Sequence, residues 1–141
     1  MTRGILLFFA CLICIKAHSQ NAKEYYAAAK KQIDSLDKLR KGADYASAFN
    51  ALTKARELDP KMKEAWLETG KIMYRMGSNS SALDYIEEAL KLDPNYAEAY
   101  GFRGLVRSQD EKSKKQGCSD LKKSIKLGYK HAEVWLKDNC K

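Results

Sequence analysis

Proline is nearly absent from this chain, with two residues in 141, and glycine contributes only eight. A loop-rich β protein needs both at its turns, so that class is excluded, while the abundant Ala, Lys, Leu and Glu favour helix. Histidine is as scarce, with two residues, and no glycine-rich phosphate loop occurs. No apolar run reaches the ~20 residues that a membrane-spanning helix needs. With 45% hydrophobic and 31% charged residues, the chain has the composition of a folded soluble domain rather than of a disordered segment. Its length suits one small domain with a modest core.

The first twenty residues, MTRGILLFFACLICIKAHSQ, depart from this pattern. Arg3 supplies a positive start, residues 5–15 an apolar run, and Ala17 and Ser19 the small residues of a cleavage site. This is the layout of a secretory signal peptide, with the cut expected between Ser19 and Gln20. Lipidation at Cys11 or Cys14 fits less well, because Phe8 and Ile13 occupy positions that want smaller residues. The expected domains are therefore a signal peptide at 1–19 and a mature domain at 20–141, outside the cytoplasm. Removing 1–19 leaves a net charge of +6, and the excess is uneven. Residues 20–100 carry 13 basic and 13 acidic groups, whereas residues 101–141 carry 11 and 5.

The chain repeats itself. ALTKARELDPKMKEAW at 51–66 returns as YIEEALKLDPNYAEAY at 85–100. Ala48, Leu52, Ala55, Leu58, Asp59 and Pro60 recur 34 residues later as Ala82, Ile86, Ala89, Leu92, Asp93 and Pro94. Trp66 and Gly70 recur as Tyr100 and Gly104. Apolar positions three and four apart mark amphipathic helices. Leu-Asp-Pro ends one helix, because the residue before proline is pushed out of the α region, and proline then suits the next helix start. Small residues at fixed places let paired helices approach closely. Each unit is thus a helical hairpin that must stack on a neighbour to bury its apolar face.

Trp66, Gly70, Ala82, Ile86, Ala89 and Pro94 stand at the spacing of the tetratricopeptide repeat (TPR) family, which the chain resembles over nearly all of 20–141. Departures are Thr69, Met73 and, in a degenerate first half-repeat, Leu36. That half-repeat keeps a stripe of Tyr26, Ala29, Ile33, Leu36 and Leu39. The third repeat needs one extra loop residue before Gly117, Leu121, Ser124 and Leu127, and Gly128-Tyr129 replaces Asp-Pro. The resemblance implies an all-α right-handed α-solenoid of about three hairpins, at 29–62, 63–96 and 97–130, plus a C-terminal capping helix at 131–140. It also implies a non-catalytic protein-binding scaffold or assembly factor, and it looks like small exported TPR proteins of the bacterial periplasm.

Family members that clamp a chaperone's C-terminal carboxylate carry Lys, Asn and Arg at positions occupied here by Ile33, Asp37, Glu68, Glu98 and Phe102. None agrees, so that function is rejected. A peptide- or helix-binding groove is expected instead on Ile33, Asp37, Leu67, Lys71, Tyr74, Gly101, Leu105 and Ser108. Leu67 and Leu105 are expected to be exposed there. No cofactor or metal is expected, and no nucleic acid, since the basic run from Lys112 to Lys130 lacks interleaved aromatics. That basic third is read as a solvated face, with weak contact to anionic envelope material as a second choice.

Cys118 and Cys140 are the only cysteines left after cleavage. In an oxidising space an even pair is usually bridged. Nine or ten helical residues on either side of Gly128-Tyr129, at ~1.5 Å each, bring both to one end of an antiparallel pair, so a disulfide is expected. The alternative reading is a thiol-dependent redox or metal protein using Cys118, Cys140 and His131. It supplies only three ligands and lacks the Cys-X-X-Cys spacing that lowers a thiol pKa.

Overall fold

The computed structural model describes the backbone of residues 2–39 and 44–141, and the side chains of 19–38 and 44–141. The side chains of Cys11, Cys14 and the rest of residues 1–18, and that of Leu39, lie outside the described residues. Seven helices and no strand are present among them: α1 (Thr2–Leu39), α2 (Ala46–Leu58), α3 (Lys63–Arg75), α4 (Asn79–Leu92), α5 (Ala97–Ser108), α6 (Lys114–Lys126) and α7 (Ala132–Asn139). No helix among the described residues is long and apolar enough to cross a membrane. The chain divides into two compact units, Met1–Ala65 and Trp66–Lys141.

In the first unit α1 buries Ala22, Ala29 and Ile33, and α2 buries Ala48, Leu52 and Ala55. Alanine at most of these positions lets the two helices lie close without large side chains holding them apart. The hydroxyl of Tyr45, just before α2, donates to Asp37 Oδ1 at 2.9 Å, tying the two helices at the turn end.

The two Leu-Asp-Pro segments fold alike. Asp59 accepts from the Lys61 N–H at 3.1 Å and Asp93 from the Asn95 N–H at 2.9 Å. Each aspartate carbonyl then receives the N–H three residues on, Met62 and Tyr96 respectively, at 3.1 Å. The side chain thus mimics a backbone turn while proline blocks continuation of the helix. The third repeat stops its helix differently. Gly128 sits at φ +99°, Tyr129 N–H reaches back to Ser124 O at 3.1 Å, and Gly128 N–H reaches Ile125 O at 2.9 Å. This is a Schellman stop, for which glycine's freedom at positive φ substitutes for Asp-Pro. Gly77, at φ +80°, ends α3 in the same way.

The core of the second unit is Leu67, Ala82, Ile86, Ala89, Leu90, Ala99 and Val106, flanked by Trp66, Met73, Tyr100 and Phe102. Its tightest crossing joins α5 to α6. A Cβ on Gly104 would lie 2.8 Å from Gly117 O, and one on Gly117 only 2.5 Å from Ser108 N. Backbone lies on backbone there, a separation only glycine permits.

Candidate functional site

The predicted groove residues fall in both units, Ile33 and Asp37 in the first and the other six in the second. Ile33 is buried, and Asp37 is exposed and holds Tyr45. Leu67 is fully buried and Leu105 is 9% exposed, so the expectation that both leucines are exposed is overturned. The reason is geometric. Small residues on the facing helices bring them so close that Leu67 is enclosed with Ala82, Ile86, Ala99 and Val106 in the core. Glutamate at either position would carry a charge into apolar surroundings and could not leave stability unchanged.

Gly101 and Ser108 are also buried. Gly101 lies under the Tyr129 ring and Ser124, and Ser108, whose hydroxyl donates to Leu105 O at 2.8 Å, lies against Gly117. Both positions serve packing around α5 and α6. What α3 and α5 present instead is polar and aromatic. Lys71, only 6% exposed, donates from Nζ to Glu68 Oε1 at 2.8 Å and also to Glu98 Oε1. Its ammonium stands 4.6 Å from the centre of the Phe102 ring, a cation–π arrangement. Glu98 keeps 32% of its side chain in solvent. Tyr74, half-buried, accepts from Gln109 Nε2.

An aromatic chain continues from this face. Phe102 meets Trp135 of α7 edge-on at 4.9 Å, and Trp135 lies 5.9 Å from Tyr129. Burial pushes the Tyr129 phenol up to about 12, with further help from the negative charges of Glu98 and Glu68. His131 stacks beside Tyr129 at 5.6 Å. Cys118 and Cys140 are joined as a disulfide with Cα atoms 5.8 Å apart. Their sulfurs bond to each other, and no group of three or more His, Cys, Asp or Glu among the described residues is placed to hold a metal.

On the opposite face a second ion network ties three helices. Arg103 grips Asp120 with two bonds of 2.8 Å, and Arg107 bridges Asp120 at 3.1 Å and Glu87 at 2.8 Å. Burial lowers the Arg103 pKa, but the hydrogen bond and charge of Asp120 more than offset this and hold it above the ordinary arginine value. These partners, 17 and 20 residues apart, carry no periodic signal in the sequence. Glu68 and Lys71, at helical i,i+3 spacing, could have been paired from the sequence. Lys123, exposed as expected, donates to Tyr100 OH at 2.6 Å and stands over that ring at 3.9 Å.

Paired helices closed by repeated turns, with small residues at each crossing, define an all-α array of helical hairpins of the α-solenoid class. Residues 39–106 match the family model of the tetratricopeptide repeat. Over 60 residues, 43% of this chain, it is 43% identical to DnaJ homolog subfamily C member 7 homolog of Schizosaccharomyces pombe. Over 79 residues, 56% of this chain, it is 29% identical to Anaphase-promoting complex subunit 3 of the same organism. The matched stretches span only 12% of each of these relatives. Among solved structures, the first TPR of Spaghetti (RPAP3), bound to HSP90 peptide SRMEEVD, superposes with a TM-score of 0.73 at 20% identity. The match covers 85% of this chain and 90% of that one. MamA protein superposes with a TM-score of 0.61 at 21% identity, over 82% and 58% of the respective chains. At such identities the likeness is one of fold.

Proposed function

We propose that this protein is a non-catalytic scaffold or assembly factor that works outside the cytoplasm and holds a polypeptide, as a peptide or helix, against the first helices of its repeats. The observation that carries this reading is the surface of α3 and α5, where Tyr74, Glu98 and Phe102 offer half-buried aromatic and acidic groups on a rigid helical frame. Aromatic anchors with few rotamers are what polypeptide recognition favours. The first TPR of Spaghetti, which shares the fold, is described with a bound peptide. Acidic Glu68 and Glu98 at positions where clamping relatives carry amide or basic residues favour a ligand other than a chain-terminal carboxylate. An exported location is supported by the signal-like start and by a disulfide, which persists in oxidising compartments.

The test combines Tyr74→Ser with Glu98→Lys in the mature protein and measures capture of envelope proteins beside the wild type. Loss of capture by a variant with native helicity supports the proposed face. Full capture by that variant refutes it. Fractionation of expressing cells with N-terminal sequencing tests the location, and a mature chain starting at Gln20 in the periplasm or medium is the expected result.

A further inference from the structure

The surface excess of positive charge has a focus. An open cavity of about 570 Å³ lies beside the disulfide, lined by Glu111, Lys114, Lys115, Cys118, Lys122 and Lys141, with Ser119 and Cys140 completing the wall. None of these residues comes from α3 or α5, so this cavity is separate from the proposed polypeptide-binding face. On α6, Lys115, Cys118 and Lys122 share one stripe at spacings of three and four, so the two ammonium groups flank the bridged sulfur. Lys141 is carried to the same place by its neighbour Cys140, which the disulfide holds. Of the four lysines, only Lys114 has an acidic partner among the described residues, Glu111 at 3.3 Å in a largely exposed pair. Among the described residues Lys115, Lys122 and Lys141 form no ion pair. Three other cations of the C-terminal third are engaged elsewhere, Arg103 and Arg107 by Asp120 and Lys123 by Tyr100.

Four lysine side chains against one acidic side chain, around one concavity, repel one another unless a compact anion neutralises them. A single carboxylate brings one charge, whereas a phosphate monoester or pyrophosphate group brings two or more within a few ångström and takes several point-charge donors at once. We propose that this cavity is a binding site for a phosphate-bearing anion of at least two charges, and that the Cys118–Cys140 disulfide is what assembles it. With the disulfide cut, α7 and Lys141 are no longer tied to α6, and the site loses one wall.

The probes are inorganic pyrophosphate, titrated calorimetrically at low salt, and sedimenting vesicles containing phosphatidic acid, whose headgroup is a phosphate monoester. The shared chemistry is the phosphate oxyanion, and the two arms distinguish a free phosphate from a lipid headgroup. Removing one fully solvated ammonium about 4 Å from the anion weakens such binding roughly fivefold, the value for two unit charges in bulk water. Lys115→Gln with Lys122→Gln, two exposed positions, is therefore expected to weaken whichever probe binds by more than tenfold without lowering the thermal midpoint. Raising salt until the Debye length falls to ~8 Å is expected to weaken it further. The decisive variant is Cys118→Ser with Cys140→Ser, which keeps every lysine. A built site loses binding in it, and the same loss on reducing the wild type gives a second reading. Binding that survives without the disulfide, binding indifferent to Lys115 and Lys122, or failure of the wild type to bind either probe overturns the proposal.

Discussion

Replacing Asp120 by asparagine changes one atom in shape terms and should be among the most damaging surface-distant substitutions in the chain. The carboxylate accepts three charge-assisted bonds, two from Arg103 at 2.8 Å and one from Arg107 at 3.1 Å, with 11% of its side chain exposed. The amide turns one acceptor into a donor facing an N–H, so at least one Arg103 bond is lost and both guanidiniums lose a counter-charge. Bonds of this kind contribute roughly 1.5–3 kcal/mol each, and breaking a buried pair costs about 3–5 kcal/mol. Two facts favour the lower end: the arginine side chains are 18% and 21% exposed, and Arg107 keeps Glu87. Asp120→Asn is therefore expected to cost about 3 kcal/mol. At about 4 °C per kcal/mol for a chain of this size, the thermal midpoint should fall by ~12 °C, read by circular dichroism or calorimetry. Pairing Arg103→Met with Asp120→Leu should recover much of the loss, because an apolar pair of similar volume roughly matches a buried ion pair. A drop below ~1 kcal/mol for Asp120→Asn, or simple additivity of Asp120→Asn and Arg103→Met in a double-mutant cycle, refutes the reasoning.

Three further outcomes are expected. Reducing the Cys118–Cys140 bridge, which closes a separation of 22 residues, should add two hydrogens to the intact monomer mass and cost about 3 kcal/mol in the chain-entropy model. No mass gain, or a dimer that collapses to monomer, would count against it. Gly117→Ala should cost about 3 kcal/mol, since its Cβ would press on Ser108 N at 2.5 Å and Gly104 O at 2.8 Å, backbone that cannot yield. Gly77→Ala, which has open space but φ +80°, should cost only about 1 kcal/mol, and equal denaturation midpoints for the two would contradict the close-approach argument. The Tyr129 phenol, raised from 10.0 to about 12 by burial and then by Glu98 and Glu68, binds its proton more tightly folded than unfolded. Its contribution to stability is thus complete below pH ~10 and lost as pH rises through ~12, so Tyr129→Phe should flatten the alkaline decline measured by denaturant titration across that window.

Helix periodicity, the 34-residue echo and the Leu-Asp-Pro stops are local signals. They determined the all-helical class, the hairpin repeat and the turn positions, because a helix face and a proline-blocked turn are written in residues close in sequence. The groove failed for the opposite reason. Leu67 and Leu105 have the spacing of an open face, but their exposure depends on how near the neighbouring helices come. That distance is set by Gly70, Gly104, Gly117 and the alanines acting together. The tertiary structure alone joined Arg103 to Asp120, Lys71 to Glu98, and Lys115, Lys122 and Lys141 around one cavity. Pairings across 17 or more residues follow from helix crossing angles and backbone separation, which no periodicity in a single sequence encodes.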